Sequence, residues 1–306
     1  FPVENIRVPV NKENALKYGI VDPKDADKMV DFLDIKITDG AIYKNRLLML
    51  DIVATNDWKR PIYFTGGAFG NDDYIWMKDY LQLDGMAYKL VPIKTPVNRA
   101  NPFDMGRVDS DFMYDKVKNW DWGNSGSSDI YHDVETRKNA ITYRGNLARL
   151  IEQLINEEQP EKAEEIADIA MDNMPVDYFG YYTLLEPYIS AYYEIGSQEK
   201  ARKLFMDVAE KYQESLTYYS KLDEEQQRFV FEQIYTDIER YKSIVDVVIT
   251  YDKEFAKTET KTFSNFLNLF SHFYGGDDIP TTEETPEPLD IDILQEDTMR
   301  ITPVED

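Results

Sequence analysis

The spacing of apolar residues changes character near residue 130. Before it, short stretches of two kinds follow one another. "LDIKIT" carries apolar side chains at alternate positions, the pattern of a half-buried strand. "PIYFT" and "AYKLVPI" are rich in aromatic and β-branched residues that fit a pleated surface, and they read as buried strands. "YKNRLLMLDIVA" is a mostly apolar helix candidate. "VDPKDADKMVDFL" predicts another helix, with Asp22 as N-cap, Pro23 at the first helical position and Asp25 in the first turn, where an anion meets the positive helix end.

"DWGNSGSSD", residues 121 to 129, gathers Gly, Ser, Asn and Asp and is the best candidate boundary. From Asp133 to Tyr274 strand signals nearly vanish and long amphipathic helices take over. Leu147, Leu150, Ile151 and Leu154 form one stripe, and Ala163, Ala167 and Ala170 a second. Leu185, Tyr188, Ile189 and Tyr192, followed by Ala201, Phe205 and Val208, repeat the arrangement. Small residues at crossing positions let two helices of a hairpin approach closely, which is the physical content of the tetratricopeptide pattern. Ala163 and Ala201 lie 38 residues apart, against ~34 for that pattern, so the repeat is degenerate. Pro187 must kink its helix or mark the true start. "DEEQQRFVFEQIYTDIERYKSIVDVVITYD" and "TFSNFLNLFSHFY" supply further helices that would continue or cap the stack. The expected fold class is α+β: a mixed α/β module over 1–128, an all-α tetratricopeptide-like helical-repeat module over 129–274, and an acidic tail over 275–306.

Composition narrows the function classes. Hydrophobic residues at 42% and aromatics at 13% place the chain among globular proteins, although its mean hydropathy is below zero. The net charge of −24, from 58 acidic against 34 basic residues, gives no counterion-release drive toward a phosphate backbone, so nucleic acid is not an expected partner. From Gly275 onward eleven acidic residues face Arg300 alone. That tail reads as solvated, although "LDIDILQEDTMRITPV" alternates enough to pair as a strand. The absence of cysteine excludes disulfides, thiolate nucleophiles and thiolate metal sites. No window is apolar enough for a bilayer span, and no signal peptide opens the chain. Because it begins at Phe1, it reads as a piece of something longer.

Catalytic and metal signatures are sparse. His132 and His272 are the only histidines, in no zinc-binding spacing. Carboxylate pairs such as Asp72 with Asp73 or Asp277 with Asp278 carry little information in so acidic a chain. "DNMPVDYFG" and "DWGNSGSSD" resemble calcium loops only loosely. "TGGAFGNDDY" lies where a phosphate loop would, but lacks the Walker lysine and places Asp72 and Asp73 against an anion; a turn with a helix N-cap at Asn71 accounts for it. No catalytic residue, metal or cofactor is expected.

"NDWKRPIYF", beginning at Asn56, is the densest polar and aromatic stretch of the first module. One reading is structural: Asn56 ends a helix in the left-handed conformation, Trp58 anchors the turn in the core, Pro61 starts an edge strand, and Arg60 pairs with a nearby carboxylate. The other makes Asn56, Trp58 and Arg60 a contact for a ligand or partner.

"NRLLMLDIVATNDWKRPIYFTGG", followed by "YLQLDGMAYKLVPIK" and a tetratricopeptide-like tail, resembles the C-terminal soluble region of a Bacteroidetes family of multi-pass membrane proteins related to protein O-mannosyltransferases, with a GT-C-type transmembrane core. The resemblance covers residues 1 to about 215. It implies the extracytoplasmic, periplasmic part of a membrane-anchored glycosyltransferase-like protein, joined to the inner membrane through an N-terminal region outside this sequence. In GT-C enzymes the catalytic acid and the lipid-linked donor belong to the membrane core, so no catalytic residue carries over. The chain is then an accessory domain whose helical repeats bind a protein or glycan partner, with Tyr181, Tyr182, Tyr192 and Tyr193 of "DYFGYYTLLEPYISAYY" as stacking faces for sugars or anchors for peptide. Packing between helices is the competing role for those rings. Two alternatives stand beside this reading: an interaction scaffold unrelated to glycosyl transfer, and a self-contained carbohydrate-active enzyme.

Overall fold

A computed structural model describes residues 5–37, 42–65, 73–96, 105–180 and 182–273. The segments 66–72 and 274–306, with the expected turn at Asn71, the Asp277–Asp278 pair and the alternating tail, lie outside the described residues, as does Tyr181. The fold is α+β: strands gather in the N-terminal part and helices fill the rest.

β1 (Asn5–Pro9) pairs antiparallel with β2 (Phe32–Lys36), setting Ile6 opposite Ile35 and Val8 opposite Leu33. The alternation read in "LDIKIT" is real, since Leu33 and Ile35 are fully buried while their neighbours face out. Between the strands, α1 (Lys12–Lys17) starts at Asn11, whose side chain accepts from the Asn14 amide at 3.0 Å. The helix expected from Asp22 is shorter and tighter than its sequence suggested, a 3-10 helix over Pro23–Lys28. Its cap is as expected, with Asp22 accepting from the Lys24 amide at 2.9 Å. Its extension is lost because the next backbone groups are used sideways: the Val30 amide donates to Pro92 and the Asp31 carbonyl accepts from Val10.

The second sheet has the order β3-β5-β4-β6, with β3 (Tyr63–Phe64) on an edge as Pro61 requires. β4 (Leu81–Asp84) and β5 (Ala87–Leu90) form a hairpin closed by Gly85 and Met86, and Gly85 takes the positive φ of +72° that such a turn needs. β6 (Arg107–Val108) runs parallel to β4. Gly106 permits that approach, because a Cβ there would sit 2.7 Å from the Leu81 carbonyl. α2 (Lys44–Thr55) sends only Leu50 and Val53 fully into the core that both sheets share with Trp58, Met77 and Tyr80.

α3 (Ser110–Lys118) leads into α4 (Val134–Asn156), α5 (Pro160–Asn173), α6 (Val176–Phe179), α7 (Glu186–Glu194), α8 (Gln198–Ser220), α9 (Glu224–Phe229), α10 (Phe231–Tyr251) and α11 (Lys253–Asn268). Each of α4/α5, α7/α8 and α10/α11 is a hairpin with a short connection, and α7 packs in turn on α4 and α10. The stripes read from sequence are the packed seams: Leu147, Leu150, Leu154, Ala163, Ala167, Ala170, Ala201, Phe205 and Val208 are all fully buried. Pro187 stands in the first turn of α7 and marks its start, where its missing N–H costs nothing. The "DWGNSGSSD" segment lies against the helices: Gly126 is so close to α5 that a Cβ would meet the Asp172 carbonyl at 2.2 Å. α3 and β6 also touch α4, so residues 1–269 form one compact unit. Of the second unit, 270–306, the described part is residues 270–273, where Ser271–Phe273 make a 3-10 turn.

Candidate interaction surfaces

The "NDWKRP" hinge is held by residues on both sides of it. Asn56 keeps right-handed helical angles, contrary to the expected left-handed cap, and the positive φ passes to Asp57 (50°) and Trp58 (56°). Two consecutive non-glycine residues in that region store strain of roughly 1–3 kcal/mol each, so the surroundings must hold them. Asp57 is gripped by Asn11 Nδ2 at 3.0 Å and by Asn14 Nδ2, which donates to its carboxylate at 2.9 Å and its carbonyl at 2.8 Å. The hydrogen bond from Lys59, then that from Asn11, holds the Asp57 carboxyl below the usual range. Trp58 is 5% exposed, and its Nε1 donates to the Pro9 carbonyl at 3.1 Å. Asn56 Nδ2 closes the turn on the Arg60 carbonyl at 2.7 Å. Arg60 is exposed, and no carboxylate pairs with it among the described residues. Asn56 and Trp58 therefore shape the turn, while Arg60 is presented to solvent.

The tyrosine segment is mostly interior. Tyr192 and Tyr193 are 3% and 8% exposed. The Tyr192 hydroxyl donates to Asp168 at 2.9 Å, and Tyr193 stacks on Tyr251. Tyr182 is half-buried, edge-on to Tyr212. Burial raises the pKa of each of these three phenols. Their rings fill the seams between hairpins, as the repeated stripe requires.

At the heart of the same region lies a residue that sequence reasoning passed over. Arg144 of α4 is fully buried, and no carboxylate pairs with it among the described residues. Its guanidinium donates to the Met174 carbonyl at 2.8 Å and to the Gly180 carbonyl. Those carbonyls belong to the C-terminal ends of α5 and α6, where unsatisfied oxygens carry partial negative charge. Desolvation pushes the Arg144 pKa down to about 10. The signal was present, since residue 144 falls on the 147–151–154 stripe, where a charge stands out.

A polar cleft of about 320 Å³ separates the 3-10 helix at residue 23 from the start of α3. Asp25, 2% exposed as a residue, meets Lys28 at 2.6 Å and Arg107 at 2.7 Å. Lys24 bridges Asp109 and Asp111, each at 2.9 Å, and Asp109 caps α3 as well. Ser110 donates to Glu157 at the α4–α5 turn. Burial works to raise the Asp25 pKa, but the bonds from Lys28 and Arg107 outweigh it and hold the pKa low; the Lys24 bond does the same for Asp111. Asp25 and Asp111 are thereby held in the ionised form, and Asp109 and Glu157 are engaged by Lys24 and Ser110, an arrangement of clamped side chains. Among the described residues no group of His, Asp or Glu is arranged to hold a metal ion. His132 is buried, stacked on Tyr178 and bonded to the Ser127 carbonyl.

Among the described residues, a groove and a helix face lie open. A shallow groove of about 460 Å³ between α8 and α11 is lined by Glu210, Gln213, Glu214, Tyr218, Lys221 and Phe266. The other is the outer face of α2, where Tyr43, Leu47, Leu48 and Ile52 are 70%, 53%, 54% and 58% exposed. No helix among the described residues is long and apolar enough to cross a membrane.

The family model described as TMEM260-associated domain 2 matches residues 1–112, which takes in both sheets, α2 and the hinge. No curated protein and no solved structure matches the chain. The match is consistent with an accessory region of a TMEM260-like membrane protein.

Proposed function

We propose that this chain is a non-catalytic, extracytoplasmic accessory domain of a membrane-anchored, O-mannosyltransferase-like protein. On this reading it lies on the periplasmic side of the inner membrane, and its tetratricopeptide-like module over 129–274 binds a protein or glycan partner. The observation that carries it is the family match over residues 1–112, in the region where the resemblance to the O-mannosyltransferase-like proteins is most specific. The hairpin seams support the repeat reading, and the engaged carboxylates of the polar cleft support a role without chemistry of its own. With Tyr192 and Tyr193 spent on packing, the partner surface falls to the α8–α11 groove, where Tyr218 is 61% exposed, and to Arg60 at the hinge.

The reading frame that encodes the chain tests this. A series of apolar spans of about 20 residues each ahead of Phe1 is expected. A frame that encodes no such span contradicts the assignment.

A further inference from the structure

The polar cleft keeps hydrogen-bonding capacity that the chain itself does not use. Asp109 is 7% exposed, and both bonds to its carboxylate fall on one oxygen: Lys24 Nζ at 2.9 Å and the Phe112 amide at 3.4 Å meet Oδ1. Among the described residues nothing donates to Oδ2. Arg107, whose side chain is 16% exposed, gives one N–H to Asp25, and the rest of its planar fork has no partner among the described residues. Lys24 spends two ammonium hydrogens on Asp109 and Asp111 and keeps a third. Ser110, 4% exposed, donates its hydroxyl hydrogen to Glu157 and keeps its lone pairs. All four residues line the same cleft. A buried polar atom left unmet costs roughly 1–3 kcal/mol, so a cleft that gathers spare donors and a spare acceptor is completed by a polar guest.

We propose that this cleft binds a neutral polyhydroxyl ligand, a single sugar residue. Its volume of about 320 Å³ falls within the roughly 300–1,000 Å³ of small-ligand sites. Val108 alone among its lining residues is apolar, which excludes a hydrophobic guest. Charge disfavours two other classes. Lys24, Lys28 and Arg107 stand against Asp25, Asp109, Asp111 and Glu157, so an anion meets four carboxylates and a cation meets three fixed positive groups. A sugar hydroxyl carries no charge and both donates and accepts, so neighbouring hydroxyls of one ring can give a hydrogen to Asp109 Oδ2 and take one from Arg107 or Lys24. The ion pairs that Lys24 and Arg107 already make hold these groups in place before the ligand arrives, which lowers the ordering cost of binding. Asp109 is fixed again as the N-cap of α3. The site is separate from the surfaces assigned to the helical module, so its failure leaves the accessory reading, which the reading frame decides, untouched.

Saturation-transfer difference NMR on the 306-residue chain tests it, with the methyl glycosides of glucose, galactose and mannose as probes and glucuronate and glucosamine as charged counterparts. Saturable transfer to at least one neutral glycoside is expected, with weaker binding of both charged sugars. Asp109→Asn keeps a good N-cap but turns the free acceptor into a donor, and should weaken binding about tenfold, the equivalent of one charged hydrogen bond. Arg107→Lys keeps a positive charge opposite Asp25 but loses the fork, and should weaken binding to a similar degree. Circular dichroism checks the fold of each variant. Absence of saturable transfer to every neutral glycoside overturns the proposal and leaves the cleft to solvent. So does undiminished binding by either folded variant, or tighter binding of glucuronate or glucosamine than of any neutral glycoside, which would make this a site for charge.

Discussion

Arg144→Met isolates the electrostatic organisation of the helical stack. The native guanidinium makes two hydrogen bonds to carbonyls at helix ends, of buried Met174 and part-buried Gly180, each worth roughly 1.5–3 kcal/mol when the donor is charged. Against this stands its desolvation: a pKa lowered from 12.5 to about 10 corresponds to roughly 3 kcal/mol against the charged form. Methionine fills much of the space of the arginine stem, removes the desolvation cost and leaves both carbonyls without that donor. The balance is a net loss of roughly 0–3 kcal/mol, and the carbonyls left without a donor put the expected value in the upper half of that range. Arg144→Ala adds a cavity at a fully buried position, which brings the total to about 3–5 kcal/mol. Urea unfolding followed by far-UV circular dichroism measures both. If Arg144→Met is as stable as the native chain, the helix ends do not need the cation and the reasoning fails, since packing alone would then account for Arg144.

Asp237, pushed up to about 6 by burial that Arg240 only partly offsets, should behave as a destabilising carboxylate. Its folded pKa lies above its unfolded value, so the folded state holds the extra proton and stability falls as pH rises from about 4 to about 6. Asp237→Asn is therefore expected to stabilise by roughly 1–2 kcal/mol at pH 7, with the gain vanishing near pH 4 in urea titrations. Gly180 sits at φ +66° and ψ −143°, a region almost closed to other residues, so Gly180→Ala should cost about 1–3 kcal/mol in the same assay, while Gly145→Ala, on a helix with open space at its Cβ, should not destabilise. Trp58→Phe keeps most of the buried ring but strands the Pro9 carbonyl, and a loss of roughly 1–2 kcal/mol is expected; a neutral result would mean that Nε1 does not secure the hinge.

What could be read in the sequence followed periodicity. Leu33 and Ile35 alternate because one face of β2 is buried, and the alanine stripe of α5 shows because close helix packing needs small side chains. The missing donor of Pro187 left a kinked helix or a helix start open, and the start is what forms. The hinge was half legible. Its place between helix and edge strand followed from Asn56 and Pro61, but the positive φ fell on Asp57 and Trp58, where side chains from α1, distant in sequence, do the holding. The 3-10 helix at Pro23 was overread because its cap is good and its ending is decided by pairing with residues 10 and 92. Tyr192 and Tyr193 could be read as packing or as ligand faces until the third dimension placed them between helices. The polar cleft was invisible, since its members are scattered from residue 24 to residue 157.

The central claim is that the chain contributes surface while bond-making belongs elsewhere. Its most direct test is to incubate the purified chain with a panel of glycosides, lipid-linked sugars and acceptor peptides and to follow hydrolysis and transfer by mass spectrometry. No product above the protein-free control is expected under any condition. Reproducible turnover that disappears in Asp25→Asn or Glu157→Gln, the carboxylates of the polar cleft, would contradict the claim and make that cleft an active site.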